Sequence, residues 1–365
     1  MNKCFITKLP SSVDNDDLPV LGQLKVNWLK QSNLEINAQR AVGLQTTDTI
    51  TVKVSGAHFT DKSLTSDMGN TKTITAADGL VFLYVSNDAD AVLTIDNKYS
   101  LKVLDFATPM NDWYDRSVYF NIDDIKYCTN LVDLDLGCTK VNGNINAVSN
   151  LTNLNNLALS ETPLIGDISA LSNLTNLNRL KLSNSLKISG DFSVVSKLTN
   201  LNVIHISATS ISGNINAISN LTKLTDLYLT YCKISGDISS LKKLTNLGST
   251  AIDIKYTMLD GDMSGVPAQL NAINLSNRYI NTNFTWTANG RQNATLLAME
   301  GDIPFDTASM DNMFIDQATC TFKPIDGQPW TKIISVKGTR TSASDAAVTT
   351  IQNMGVTITG VTKQD

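Results

Sequence analysis

The chain has 365 residues and a net charge of −5, with 17% charged residues and no basic block, which argues against a phosphate-tracking nucleic-acid surface. Its length accommodates two or three domains. Its five scattered cysteines (Cys4, Cys128, Cys138, Cys232 and Cys320) are odd in number and lack CxxC spacing, which argues against a disulfide framework or a zinc site.

Residues 1–20 contain Asp14, Asp16, Asp17 and two prolines but no apolar core, so no secretory signal is expected. Cys4 has no apolar stretch before it, unlike a lipoprotein cysteine. Asp14-Asn15-Asp16-Asp17 lacks the spacing and terminal glutamate of a calcium loop and reads as a solvated turn. Residues 1–26 are expected to form an anchoring arm, with Leu9, Pro10, Leu18 and Pro19 as its attachment residues. The start reads as native, in a protein that leaves its cell without a standard export signal. The longest apolar run, 79–85, is too short to span a membrane.

Between 27 and 108 the chain alternates apolar and polar residues without repeating. Segments 49–54 (TITVKV), 80–85 (LVFLYV), 91–95 (AVLTI) and 99–104 (YSLKVL) read as strands, with turns at 86–90 and 96–98. They predict a small β-sandwich-like domain. This segment resembles the β-domains that precede repeats in surface proteins of gut Bacteroidetes.

From 109 to 305 the reading is a solenoid. The phrase LTNL or LTKL restarts at Leu151, Leu174, Leu198, Leu221 and Leu244, in steps of 23, 24, 23 and 23 residues. A fixed period of this size means that no single repeat buries its own apolar face. Within a copy, Leu154-x-x-Leu157-x-Leu159-x-x-Thr162 has the spacing L-x-x-L-x-L-x-x-N/T/C. Leucines alternating with polar residues make a short strand with one face inward. Stacked copies form a parallel sheet, in which each buried leucine contributes roughly 1.5–3 kcal/mol. The small residues Thr139, Thr162, Ser185, Thr209 and Cys232 take the inward turn position. A glycine recurs in Ile165-Gly166-Asp167, Ser189-Gly190-Asp191, Ser212-Gly213-Asn214 and Ser235-Gly236-Asp237, marking a dihedral or a close approach that a Cβ would strain. This wording resembles the plant-type leucine-rich repeat, with Ser169, Ser193, Asn216 and Ser239 in place of its proline. The resemblance covers roughly 125–278.

At 306–365 a cap is expected. Residues 342–355 (SASDAAVTTIQNMG) read as a helix between strands 332–336 and 356–359, with another helix over 306–319. The strand–helix–strand pattern resembles the C-terminal cap of bacterial leucine-rich repeat proteins, which hides the last apolar edge.

No catalytic constellation, cofactor motif or metal set stands out. His205 lies on an outward strand position without a nucleophile in elbow context. The candidate ligand residues are outward on the concave sheet or just behind it: Arg179, Lys181, His205, Asp226, Tyr228, Tyr231, Asp253 and Tyr256. Tyr and Arg dominate interface energetics. The repeat wording is also similar to proteins of crAss-like phages. That resemblance implies a virion component (capsid decoration, head fibre or tail fibre) assembled in the host cytoplasm. The partners expected are capsid or tail proteins, further copies of the chain in a dimer or trimer, and a host surface glycan or protein. Neither nucleic acid nor membrane insertion is expected. The alternative is a bacterial cell-surface adhesin or ligand-binding protein.

Overall fold

The computed structural model describes residues 23–28, 40–60, 66–86, 91–106, 118–248, 252–270, 272–274, 284–292, 294–322 and 332–364. The chain divides into two units, Met1–Gly166 and Asp167–Asp365, and the division falls among the repeats.

The first unit opens with β1 (Leu24–Trp28), β2 (Arg40–Thr46), β3 (Ile50–Ser55), β4 (Phe59–Thr60), β5 (Thr71–Ile74), β6 (Val81–Val85), β7 (Ala91–Ile95), β8 (Leu101–Asp105) and β9 (Val118–Tyr119). One antiparallel sheet has the order β5-β3-β7-β1-β9. Period-two patterning decides its inner face, since Val52, Val54, Ala91, Leu93 and Ile95 are all buried. The order β4-β6-β2-β8 makes a second antiparallel run. Strand β8 then pairs in parallel with β10 (Asp133–Asp135), which pairs in parallel with β11 (Asn156–Ala158). Leu104 therefore sits opposite Leu44 on one side and Leu134 on the other, all three fully buried. The repeat sheet of this unit thus grows directly from the edge of the non-repeating β region.

The segment expected as an anchoring arm, 1–26, overlaps β1, where Leu24 and Val26 are fully buried and paired with Ile95 and Leu93 of β7. The short alternation LKVNW carried that signal. The attachment residues Leu9, Pro10, Leu18 and Pro19, the Asp14–Asp17 turn, and the expected boundary at 108 lie outside the described residues.

Strand β12 (Gly166–Asp167) falls at the division. In the second unit, β13 (Arg179–Lys181), β15 (Val203–His205), β17 (Asp226–Tyr228), β19 (Ile252–Asp253), β21 (Ala272–Asn274) and β23 (Ala298–Pro304) form a parallel sheet in chain order. A second parallel sheet, which the spacing did not predict, joins β14 (Ile188–Asp191), β16 (Ser210–Asn214), β18 (Lys233–Asp237), β20 (Met258–Asp262) and β22 (Phe284–Thr285). Each coil closes through a 3-10 turn such as Phe192–Lys197, Ile215–Ile218 or Ile238–Lys243. Leu180, Leu182, Ile188, Phe192, Val195, Leu198 and Leu201 fill one coil at 1% exposure or less. This is the geometry of a leucine-rich repeat solenoid.

Two details explain the repeated phrases. The inward turn hydroxyls cap the strand they follow: Thr209 and Thr257 donate to the carbonyls of Ile206 and Ile254 at 2.8 Å. Cys232 is buried in the same column, with its Sγ 3.0 Å from the Ile206 carbonyl, and burial pushes its thiol pKa up. The third residue of LTNL ties coil to coil. Asn200 Nδ2 donates to the Thr175 carbonyl at 3.0 Å, and Asn246 Nδ2 to that of Thr222 at 2.8 Å. Gln269 Nε2 does the same to Thr245 at 2.6 Å. Replacing Asn246 with Ala is expected to cost about 1 kcal/mol, read as a lower urea midpoint at unchanged slope.

Beyond β23 the chain forms α1 (Thr307–Gln317), β24 (Ile333–Arg340), α2 (Asp345–Asn353) and β25 (Thr357–Lys363), with β24 parallel to both β23 and β25. The helix over 306–319 and the strand–helix–strand pattern are thus present. Asp306 caps α1 by accepting from the Ser309 amide at 2.7 Å. Among the described residues no helix is long and apolar enough to cross a membrane.

Candidate ligand-binding face

The sheet register in the second unit places the candidate residues in two rows across its strands. Lys181 stands opposite His205, His205 opposite Tyr228, and Tyr228 opposite Asp253. Arg179 stands opposite Val203, which stands opposite Asp226. Alternation leaves these side chains on the face away from the leucines. Arg179 is exposed, and Lys181, His205, Asp226, Tyr228 and Asp253 are half-buried. Val203 shares the outward row with Arg179 and Asp226. It is only 8% exposed, because it is a short apolar side chain set between Arg179 and Asp226.

Aromatic contacts organise the surface. His205 and Tyr228 meet edge to face, with ring centroids 4.4 Å apart at 74°. Tyr231 and Tyr256 stack at 4.4 Å and 22°. Such pairs contribute about 0.5–1.5 kcal/mol beyond their buried area. The stacked pair occupies the turn after its strands, where Asn184, Ala208, Tyr231 and Tyr256 all have positive φ, of 62°, 53°, 61° and 55°. A left-handed backbone costs a non-glycine residue roughly 1–2 kcal/mol. Here the inter-coil ladder holds it: the amides of Asn184, Ala208 and Tyr231 donate to the carbonyls of Ser207, Thr230 and Lys255 at 2.8, 2.7 and 3.1 Å. The sequence candidates included Tyr231 and Tyr256 but not the backbone strain they carry. Tyr231 remains 51% exposed, a large aromatic surface presented to solvent.

Charge is graded across the strands. Arg179 and Lys181 supply the cations on β13, and Asp226 and Asp253 the carboxylates on β17 and β19. Thr225 donates its hydroxyl to Asp226 Oδ2 at 2.5 Å, and Lys255 Nζ stands 3.9 Å from Asp253 Oδ2. Thr225 and Lys255 were not among the sequence candidates, because they flank the strands: Thr225 directly precedes Asp226, and Lys255 continues the alternation of Asp253 past the end of β19. Between the two ends, His205 has its pKa lowered to about 4, first by burial and then by Lys181, with Arg179 adding to the shift and Asp226 opposing it. Its Nε2 is buried and unpartnered. Burial, followed by Asp226 and Asp253, raises the Tyr228 pKa. Among the described residues no three His, Cys, Asp or Glu side chains gather as a metal site.

His205 makes stability depend on pH. The unfolded chain takes up its proton near pH 6.5 and the folded chain only near pH 4. Stability is therefore expected to fall as pH drops from about 6.5 to about 4, and to be unaffected by this group above that window. Histidine NMR should give His205 an apparent pKa near 4. Lys181→Met should raise it, and His205→Asn should flatten the stability profile across the same window. A native His205 that titrates at its ordinary value would contradict the buried, cation-flanked placement.

No family model matches the chain, and no curated protein matches it by sequence. Among solved structures, an internalin (inlF) of Listeria monocytogenes is 22% identical at a TM-score of 0.42, over 67% of this chain and 72% of that one. The plant peptide hormone receptor RGFR1, in complex with RGF2, is 17% identical at 0.45, over 66% of this chain and 42% of its own. The Arabidopsis receptor kinase HAESA, in complex with the peptide hormone IDA and the co-receptor SERK1, is 21% identical at 0.42, over 61% and 36%. The match thus spans most of the internalin chain and less than half of each receptor chain.

Proposed function

We propose that this chain is a non-enzymatic recognition protein whose ligand surface is the outward face of β13, β15, β17 and β19. One observation carries the reading. The apolar core of the coils of β13 to β19 is aliphatic apart from Phe192 and Cys232, while two aromatic pairs and side chains of both charges lie on their outward strands and the turns that follow. Aromatic anchors with a polar surround are the composition that gives interfaces most of their binding energy. A core of stacked coils keeps those anchors in place, so little ordering cost falls on binding.

On this reading the protein belongs to a phage particle, as a capsid-decoration, head-fibre or tail-fibre subunit whose strip meets a host surface protein or glycan. The support for that role is the resemblance of the repeat wording to proteins of crAss-like phages. A bacterial cell-surface adhesin or ligand-binding protein is the alternative reading. Mass spectrometry of density-purified phage particles beside washed host envelopes, from a culture carrying the gene, separates them. The expected result is peptides of this chain in particles, at copy numbers comparable to known structural subunits. Peptides confined to envelopes would move the protein to the bacterial surface and leave the recognition strip as its working part.

A further inference from the structure

The strip carries opposite charges on its outer strands, with Lys255 Nζ 3.9 Å from Asp253 Oδ2 at the acidic end. Crossing the strands from β13 to β19 leads from Arg179 and Lys181, over the His205–Tyr228 pair, to Asp226 and Asp253. Neighbouring strands are about 4.8 Å apart, so the cations lie two to three spacings, roughly 10–14 Å, from the carboxylates. An extended chain advances about 3.3 Å per residue and returns a side chain to the same face every second residue. Two side chains four positions apart thus reach about 13 Å on one face. That is the separation of the two charged ends.

We propose that the strip binds an extended peptide laid across the strands, with an acidic side chain against Arg179 and Lys181, a basic one four residues away against Asp226 and Asp253, and the residue midway resting on the His205–Tyr228 pair. This rests on the reading that the strip is the ligand surface, and it adds the chemistry of the occupant. The peptide's chain direction is not specified by the charges, since either direction places both ends correctly. Their separation and opposite sign are. Tyr231 and Tyr256 follow β17 and β19, the strands that carry Asp226 and Asp253, and in the proposed pose the stem of the basic side chain would lie on this aromatic surface.

The test uses the full chain and blocked heptapeptides titrated by calorimetry. The first peptide carries Glu and Lys four positions apart with an aromatic residue midway. Three controls carry Glu and Lys two positions apart, two Glu, or two Lys. The first is expected to bind at least tenfold more tightly than any control. In the double variant Arg179→Glu with Lys181→Glu the cationic end becomes acidic and Lys255 beside Asp253 is the cation that stays, so preference should pass to the two-Lys peptide. Both substitutions are at exposed or half-buried positions, and circular dichroism with an unchanged urea midpoint would verify folding. Equal binding of all four peptides, or no exchange of preference in the double variant, would overturn the polarity. Binding of a neutral oligosaccharide with no peptide bound would overturn the peptide class. Neither result touches the strip itself, which fails only if Tyr228→Ala leaves capture of the natural host surface unchanged.

Discussion

Arg291→Met is expected to destabilise the second unit by about 3–5 kcal/mol, because it strips several carbonyls of their only buried cation. Arg291 is 2% exposed. Its Nη1 donates to the carbonyls of Val266 and Pro267 at 2.9 and 2.7 Å, and its Nη2 to those of Leu270 and, at 3.1 Å, Thr295. Methionine restores the volume but none of these bonds, and of the four carbonyls Pro267 keeps a backbone donor, the Leu270 amide at 3.0 Å. Burial lowers the Arg291 pKa only to about 10, which leaves the guanidinium charged at neutral pH. Lysine keeps the charge without the planar fork and should recover only part of the loss. For a unit of this size the shift in Tm is on the order of 10 °C. A change below about 1 kcal/mol in urea unfolding would show that the turn at 266–270 finds other donors.

Gly236→Ala is the second large effect, expected at about 2–3 kcal/mol from strain and contact together. Gly236 has φ of 107°, a region that side chains strain to enter. An added Cβ would also stand 2.7 Å from Oδ1 and 2.8 Å from Nδ2 of Asn214 in the preceding coil. Asn214 cannot yield freely, because its Oδ1 accepts from the Asn216 amide at 2.8 Å and caps the turn Ile215–Ile218. Loss of such a cap costs about 1 kcal/mol. Gly355 separates the two causes. Its φ is 85°, but a methyl group added there would meet no atom within 4 Å, so Gly355→Ala should cost the dihedral strain alone. Equal losses at both positions would mean that coil contact plays no part in the glycine column.

The leucine columns were legible because burial imposes period two within the strand and a period of about 23 between coils, and both survive in the residue names. The turn column was legible for the same reason: Thr139, Thr162 and Thr209 are small where the coil closes on its own carbonyl. The second parallel sheet was not. Its strands, such as Ser210–Asn214 and Lys233–Asp237, are extended because neighbouring coils supply their hydrogen bonds, not because their side chains favour a pleated surface. Arg291 was invisible for a different reason. It appears once, after the period decays, so no repetition marks it. The same applies to Leu24 and Val26, whose alternation is too brief to stand out beside a polar segment.

On the strip, sequence reasoning found which residues face outward but not how they meet. The Tyr231–Tyr256 stack joins residues one coil apart whose positive φ follows from the ladder of the turn. The edge-to-face contact of His205 with Tyr228 depends on a strand register that only stacking fixes. Val203 shows that an outward position does not guarantee exposure, since it is 8% exposed in the row between Arg179 and Asp226.

If recognition resides on the outward face of β13, β15, β17 and β19, cell adhesion by fluorescently labelled protein tests it most directly. The wild type would be compared with Lys181→Glu plus Tyr228→Ala on the strip, and with Lys242→Glu plus Lys243→Glu on the exposed end of the 3-10 turn Ile238–Lys243. Across a panel of gut Bacteroidetes cells, the strip variant is predicted to lose at least tenfold in adhesion to every strain that retains wild type, while the turn variant adheres normally. Undiminished adhesion of the strip variant, or loss confined to the turn variant, would contradict the account.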